Sequence, residues 1–404
     1  MEGFDSRSAA SLGDLQQGLL LKLLEGVPLK DRHRSVALVS KRWLRLSRHK
    51  RLLSTLEFQL PGHDMVKPFE QLLEVLPALN TNRQLLDLAF DLNVPIESTL
   101  PPNQLWAGML SSVRRLHINC DLGGYVVLDA GMEGMSSLQD LRMDVSLLET
   151  TPMCRLPPHL TRLFLPGPGS IDCLNQQMDR LQSLKSLHLK GFYCAADLEM
   201  QNCSQLPACL SKLTQLDTLV LDNTPGWDGL EEKTVALEAA LPPLQHLTQL
   251  VLEGMPGVAP AALGTLSRLQ RFGVEGKNNE SLVLPRGAWL NSLREVALPP
   301  QVLAANVGVL SGAVALERVD VGSLFGASVI AQTAILCWVA EHPSVSRLAM
   351  STEGAHCSEA SFRAVVGAMQ RKPSLAFDFG YRSSSDRLWP EPPAFEPWKV
   401  STPF

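Results

Sequence analysis

The chain has 404 residues, 45% of them apolar, and a formal net charge of −5. The apolar content is ordinary for a folded protein, and the negative charge argues against a general nucleic-acid binder. The longest apolar stretch, Val329 to Ala340, has about 12 residues, whereas a membrane helix needs roughly 20. The composition therefore predicts a folded chain that neither spans a membrane nor binds nucleic acid.

The eight cysteines form no CxxC pair and no regular framework. In a chain of this length the pattern is typical of reduced thiols, and the first residues do not resemble a signal peptide. We therefore expect a cytoplasmic protein, a nuclear protein, or one found in both places. No phosphate loop, zinc-protease or nucleophile-elbow motif occurs, and the cysteine gaps do not fit zinc spacings. The sequence thus predicts no metal, no cofactor and no enzymatic activity.

Along the chain, residues 1–11 are polar and predict a loose N-terminus. Residues 12–52 predict three helices: an apolar stripe at helical spacing, a break at Gly26 and Pro28, a second helix capped by Asp31, and a third from Lys41. This segment is basic, because ten Lys and Arg between Lys22 and Arg51 oppose only Glu25 and Asp31. A solvated face or a contact to an acidic protein explains such a cluster better than a nuclear address does.

From Leu53 onward, one pattern recurs: Leu-x-x-Leu-x-Leu, with clear copies at Leu138, Leu184 and Leu247. Measured at the fourth position, thirteen copies from Leu56 to Phe377 follow one another at intervals of 22 to 32 residues. The Leu-x-Leu piece alternates as a strand does, with apolar residues facing inward and variable residues facing outward. Because every copy returns to an equivalent position, the pattern predicts a parallel sheet of thirteen strands over residues 53–380, followed by a Pro-rich tail, 381–404.

The repeat resembles the leucine-rich repeat, whose units stack because one unit cannot bury its own apolar edge. The segment 12–52 resembles an F-box through Pro28-Leu29-Lys30-Asp31 and the stretch from Val36 to Trp43, although Leu12-Gly13 stands where Leu-Pro is usual. The chain therefore resembles an F-box/leucine-rich-repeat protein. The implied fold is an α/β leucine-rich-repeat solenoid with a curved parallel sheet, preceded by a small helical F-box-like domain.

The resemblance implies that the helices hold a Skp-type adaptor, and through it a cullin, while the repeats hold a target protein. A piece of about 40 residues cannot bury all of its apolar side chains, so some must face a partner or the first repeat. The residues expected at the adaptor are Leu12, Leu20, Leu24, Pro28, Leu29, Val36, Val39 and Trp43.

The outward positions of the strands predict a second surface, on the concave face of the sheet. Its centre is apolar, with an arginine-rich row on one side and a carboxylate-rich row on the other. Such a surface suits a protein or peptide, although cross-strand charge pairs that only solubilise the sheet explain the charges equally well. The residues expected to bind the target are Arg162, Phe164, His188, Val220, Val251, Glu253, Arg271, Glu275 and Ala297.

Two functions follow. The first is a non-catalytic substrate-recognition subunit of a Skp–cullin–F-box ubiquitin ligase. The alternative is a leucine-rich-repeat structural or interaction scaffold with a helical N-terminal cap and no ligase role. Binding to an adaptor separates the two functions, whereas the repeats do not.

Overall fold

The computed structural model describes seventeen stretches of the chain. They are residues 17–25, 37–47, 55–60, 87–92, 111–119, 125–128, 130–144, 147–150, 155–166, 169–191, 206–222, 237–254, 260–275, 282–322, 324, 327–350 and 359–379. The expected loose N-terminus and Pro-rich tail lie outside these stretches, so both remain predictions.

Within these stretches thirteen strands form one sheet, and every neighbouring pair in the sheet is parallel. In order, they are β1 (Thr55–Leu60), β2 (Asp87–Leu92), β3 (Arg115–Asn119), β5 (Asp140–Asp144), β7 (Arg162–Pro166), β8 (Ser186–Lys190), β9 (Thr218–Asp222), β10 (Gln249–Glu253), β11 (Arg271–Glu275), β12 (Glu295–Ala297), β13 (Arg318–Asp320), β14 (Arg347–Met350) and β15 (Ala376–Phe379). The predicted parallel sheet is confirmed.

A second, two-stranded parallel sheet pairs β4 (Tyr125–Leu128) with β6 (Leu147–Thr150). Each of its strands follows one strand of the main sheet along the chain, β3 and β5 respectively. The Leu-x-x-Leu-x-Leu pattern does not predict this sheet, because these strands lie outside the repeated motif.

Among the described residues, the helices between strands are longer toward the C-terminal part of the chain. The shorter ones are α4 (Gly169–Gln177), α5 (Leu206–Leu210), α6 (Trp289–Ser292), and the 3-10 turns Ala130–Gly134 and Pro260–Thr265. The later ones are α7 (Pro300–Leu310), α8 (Val329–Glu341) and α9 (Glu359–Arg371). The stretch from Val329 to Ala340 is thus a packed helix, as its length and composition predict.

One continuous core lies between the sheet and these helices. The inward residues of the strands, such as Leu187, Leu219 and Leu250, are fully buried, and they pack in the same cluster as Leu303 and Leu336 of the helices. Strand residues alternate in direction, so the residue between two inward leucines faces the opposite side. We call that side the concave face. The chain therefore forms a leucine-rich-repeat solenoid of the α/β class.

A backbone ladder joins consecutive units just before each strand. The carbonyl oxygen of Arg114 accepts N–H groups from Gln139, at 2.8 Å, and from Asp140, at 3.0 Å. Equivalent carbonyls in later units do the same, so the ladder continues from β3 to β14. The accepting residues are Arg114, Gln139, Thr161, Lys185, Asp217, Thr248, Gln270, Arg294 and Glu317.

The N-terminal segment contains α1 (Gln17–Glu25), α2 (Ala37–Val39) and α3 (Lys41–Ser47). These helices have a small core of their own, built from Leu20, Leu21, Leu24 and Leu46, with Trp43 packed against it. Three helices are present where the sequence predicts them, within the described residues. The boundary of this segment as a separate domain remains a prediction.

Candidate functional site

Two surfaces of the chain are candidates for binding, and the first lies on the N-terminal helices. In α1, Leu20 and Leu24 are four residues apart and therefore share one face, which is buried. Leu19 and Leu23 lie about 100° around the helix from that face and are 52% and 51% exposed. Leu38 and Val39, in α2, are 82% and 68% exposed. The helices thus present apolar side chains beyond those that their own core uses.

The residues expected at the adaptor fall into three groups. Leu20 and Leu24 are buried in the core of the helices, so they hold the helices together and offer no surface to a partner. Val39 is exposed, and Trp43 is half-buried against that core. The other four lie outside the described residues: Leu12, Pro28, Leu29 and Val36.

Helical periodicity could have separated these roles. An apolar stripe containing both Leu19 and Leu20, and both Leu23 and Leu24, is wider than a core of this size needs. Sequence reasoning took the inner edge of the stripe as the contact. The structure shows that its outer edge, Leu19 and Leu23, is the exposed one.

The second surface is the concave face, where the predicted rows are in register. Phe164 pairs with His188, His188 with Val220, and Val220 with Val251 along the middle of the sheet. Val220, Val251 and Ala297 form a cluster separate from the main core, so these side chains point away from it as predicted. The structure therefore brings together the residues of the expected apolar centre.

This centre is buried. Val220 and Val251 are 0% exposed, and the side chains of Phe164, His188 and Ala297 are also buried. In this conformation a partner cannot reach the two valines, which had been expected to contact one. Alternation predicts which way a strand residue points, but its exposure depends on what lies over it. That these residues bind a partner remains a prediction.

Both arginines expected to border the centre are paired across neighbouring strands. Arg162 lies 3.6 Å from Asp140, and Arg271 lies 3.2 Å from Glu295. Glu253 is half-buried, and the side chain of Glu275 lies outside the described residues. Cross-strand pairs of this kind fit the solubilising role that the sequence left open for the charges. The fit is better for Arg271, whose contact is the shorter of the two.

A basic cluster lies at the N-terminal side of the buried centre. The guanidinium of Arg142 lies over the ring of Phe164, 4.9 Å from its centroid, and that ring meets His188 edge-on at 4.3 Å. Arg142 is 3.5 Å from Asp144, and Lys190 is 3.8 Å from the same carboxylate. Two cations therefore converge on one carboxylate.

The two histidines beside this cluster are neutral. Burial lowers the pKa of His117 to about 4, with a further lowering by Arg142 that Asp144 partly opposes. Burial lowers the pKa of His188 to about 3, and Arg142 and Lys190 lower it further. The neighbouring charges thus make the potential at His188 positive.

Sequence reasoning did not select Arg142 or Lys190. One signal was available, because Lys190 occupies the position two residues after the centre, where other strands carry carboxylates such as Asp144 and Asp222. A cation in that row, next to an arginine in the centre row, marks a change in charge along the face.

Among the described residues, no group of three or more His, Cys, Asp or Glu side chains could hold a metal ion. No helix in the same part of the chain is long and apolar enough to cross a membrane.

Comparison with known proteins gives structural likenesses alone. No protein family and no curated protein matches the sequence. The chain is similar to an internalin from Listeria monocytogenes, with 9% identity, a TM-score of 0.40, and coverage of 88% of this chain and 94% of that one. It is also similar to a leucine-rich repeat protein from Eubacterium ventriosum, with 9% identity, a TM-score of 0.17, and coverage of 67% and 74%. The assignment of the fold therefore rests on the sheet and the repeat of this chain itself.

Proposed function

We propose that the chain is a non-catalytic receptor that presents a target protein to a Skp–cullin–F-box ubiquitin ligase. In this proposal the N-terminal helices bind a Skp-type adaptor, the adaptor binds the cullin, and the solenoid binds the target. The receptor performs no chemistry of its own and acts by holding the target near the ligase. Such a receptor works in the cytoplasm or the nucleus.

The observation that carries the proposal is the apolar surplus on the N-terminal helices. They have a core of their own, yet Leu19, Leu23, Leu38 and Val39 remain largely exposed on so small a unit. Leu19 and Leu23 lie four residues apart on one face of α1, and exposed apolar side chains paired in this way suit a surface for another protein. The resemblance of residues 12–52 to an F-box suggests which protein, since F-box helices dock on this adaptor.

The proposal is tested by isothermal titration calorimetry, with purified Skp-type adaptor titrated into the full-length chain. We expect binding by the unaltered chain, and a loss of at least about tenfold in affinity when Leu19→Asp and Leu23→Asp are combined, because anchors of this kind contribute about 2 kcal/mol or more. Both side chains are half exposed, so the change leaves the helical core intact.

The matched control changes exposed apolar residues elsewhere. Val314 is 68% exposed and Ile330 is 84% exposed, and both belong to the solenoid. The pair Val314→Asp and Ile330→Asp should bind the adaptor as the unaltered chain does. The proposal fails if the unaltered chain does not bind, or if both double variants bind equally well.

The second candidate function is an interaction scaffold without a ligase role. It is favoured by the independent core of the N-terminal helices, which is enough for a structural cap on the solenoid. A scaffold of this kind would not bind the adaptor, so the same titration separates the two functions.

A further inference from the structure

Three cations lie on the accessible part of the concave face. Arg142, Arg162 and Lys190 belong to β5, β7 and β8, which are consecutive in the main sheet. Their side chains are 34%, 48% and 51% exposed, whereas Val220 and Val251 on the next two strands are 0% exposed. A protein that approaches the concave side near β5–β10 therefore meets these cations first. We call the three residues the basic patch.

The hydrogen-bond donors of the basic patch are not used within the described residues. Its three ion pairs, Arg142–Asp144, Arg162–Asp140 and Lys190–Asp144, measure 3.5, 3.6 and 3.8 Å. A charged N–H···O hydrogen bond is shorter, at about 2.7–2.9 Å. Arg180, which lies away from this face, in contrast donates a 2.8 Å hydrogen bond to Glu133. The pairs of the patch thus gain Coulomb attraction but leave N–H groups for another acceptor.

The cations of the basic patch share their carboxylates. Asp140 pairs with Arg162, Asp222 lies opposite Lys190 on β9, and Asp144 serves both Arg142 and Lys190. The pKa of His188, lowered mainly by burial, is lowered further by these same two cations. An incoming negative group would meet a favourable potential here.

Arg142 is already held in place. Its guanidinium lies over the Phe164 ring, which is buried and fixed in turn against His188. A guanidinium held in this way loses little freedom when it binds, and its fork of donors matches a carboxylate. Such preorganisation favours binding over mere solubility.

We propose that the basic patch binds an acidic segment of a partner protein, with carboxylates placed between Arg142, Arg162 and Lys190. The inference rests on the proposed function in treating the solenoid as the target-binding part, and it names the class of target. Nucleic acid fits less well, because Asp140 and Asp144 lie among the cations and would repel a continuous phosphate backbone.

The probe is a fluorescent hexaglutamate peptide, and the readout is anisotropy with the full-length chain at low and at physiological salt. We expect binding that weakens with salt, and a loss of about tenfold when Arg162→Gln and Lys190→Gln are combined, the effect of removing two partly exposed charge contacts. Both side chains are about half exposed, so the fold is retained. Arg142→Gln should weaken binding as well.

Arg294→Gln is the matched control. Arg294 is outside the residues expected to bind the target, is 58% exposed and lies 3.3 Å from Glu317, so its loss should change peptide affinity by less than about twofold. The proposal is overturned if the unaltered chain does not bind the peptide at low salt, or if Arg294→Gln weakens binding as much as the double variant. It is also overturned if a single-stranded DNA of equal charge binds more tightly with the same dependence on these residues.

The two proposals fail separately. The Arg162 and Lys190 variant should bind a Skp-type adaptor normally, and the Leu19 and Leu23 variant should bind the peptide normally. If the unaltered chain binds only one of the two probes, the proposal that concerns the other probe is the one that is wrong.

Discussion

At the scale of single residues, buried amides connect neighbouring units on the helical side of the sheet. The side-chain oxygen of Asn306 accepts a hydrogen bond from the backbone N–H of Leu284. Its side-chain nitrogen donates to the backbone carbonyls of Leu282 and Val302, and each of the three bonds measures 2.7 Å. The Gln177 side chain likewise accepts the N–H of Leu156 at 3.1 Å. Such residues satisfy buried backbone that forms no part of the strand ladder.

Asn306→Ala should lower the free energy of unfolding by about 2–4 kcal/mol, because it removes the hydrogen-bond partner of three buried backbone groups and leaves a small void. Urea denaturation of the full chain measures the change. Asn291, an exposed asparagine in α6, is the control, and Asn291→Ala should shift stability by no more than about 0.5 kcal/mol. Equal effects at the two positions would contradict the role given to Asn306.

His188 makes stability depend on pH. Burial, and then the charges of Arg142 and Lys190, lower its pKa to about 3 in the folded chain, against an ordinary value of 6.5. Below pH 6.5 the imidazole of His188 therefore binds a proton in the unfolded chain but not in the folded chain, so stability falls as pH falls. Between pH 6.5 and 5.0 this amounts to about 1.5 kcal/mol.

His188→Phe should remove that part of the pH dependence, as measured by urea denaturation at both pH values. His159 is exposed, and His159→Gln should keep the dependence of the unaltered chain. If His188→Phe retains the full slope, the proton is taken up elsewhere.

At the scale of the element, each strand contributes inward apolar residues that it cannot cover by itself. Leu219 and Leu221 of β9 are fully buried, between the equivalent residues of β8 and β10. The repeated motif predicts these positions from sequence because a strand has a strict period of two. It cannot predict Asn306, which has no periodic partner.

Leu219→Asp should unfold more than its own strand. A buried, unpaired carboxylate costs several kcal/mol, and a solenoid passes the loss to adjacent units. Hydrogen exchange measured by mass spectrometry should show reduced protection in β8, β9 and β10. Val314→Asp places the same charge at an exposed site, and protection there should not change. Loss confined to β9 would mean that units unfold independently.

At the scale of the whole molecule, sequence predicts the solenoid well and its binding surfaces only in part. Thirteen strands and their inward residues follow from local alternation. The burial of Val220 and Val251 does not, because alternation gives the direction of a side chain and not what covers it. Leu20 and Leu24, which were expected at the adaptor, belong to the core of the helices. The sequence predicts where the charged rows lie. Only the structure shows that Arg271 is 3.2 Å from Glu295, whereas Lys190 is 3.8 Å from Asp144.

The ladder that joins the units has a mechanical consequence. Its hydrogen bonds, from Gln139 to Arg114 and onward, run from strand to strand, along the direction in which the units stack. A force that pulls the two ends apart along that direction opens these bonds one strand at a time, and it never loads a whole strand in shear. The molecule should therefore extend like a soft spring, releasing one unit after another under tension.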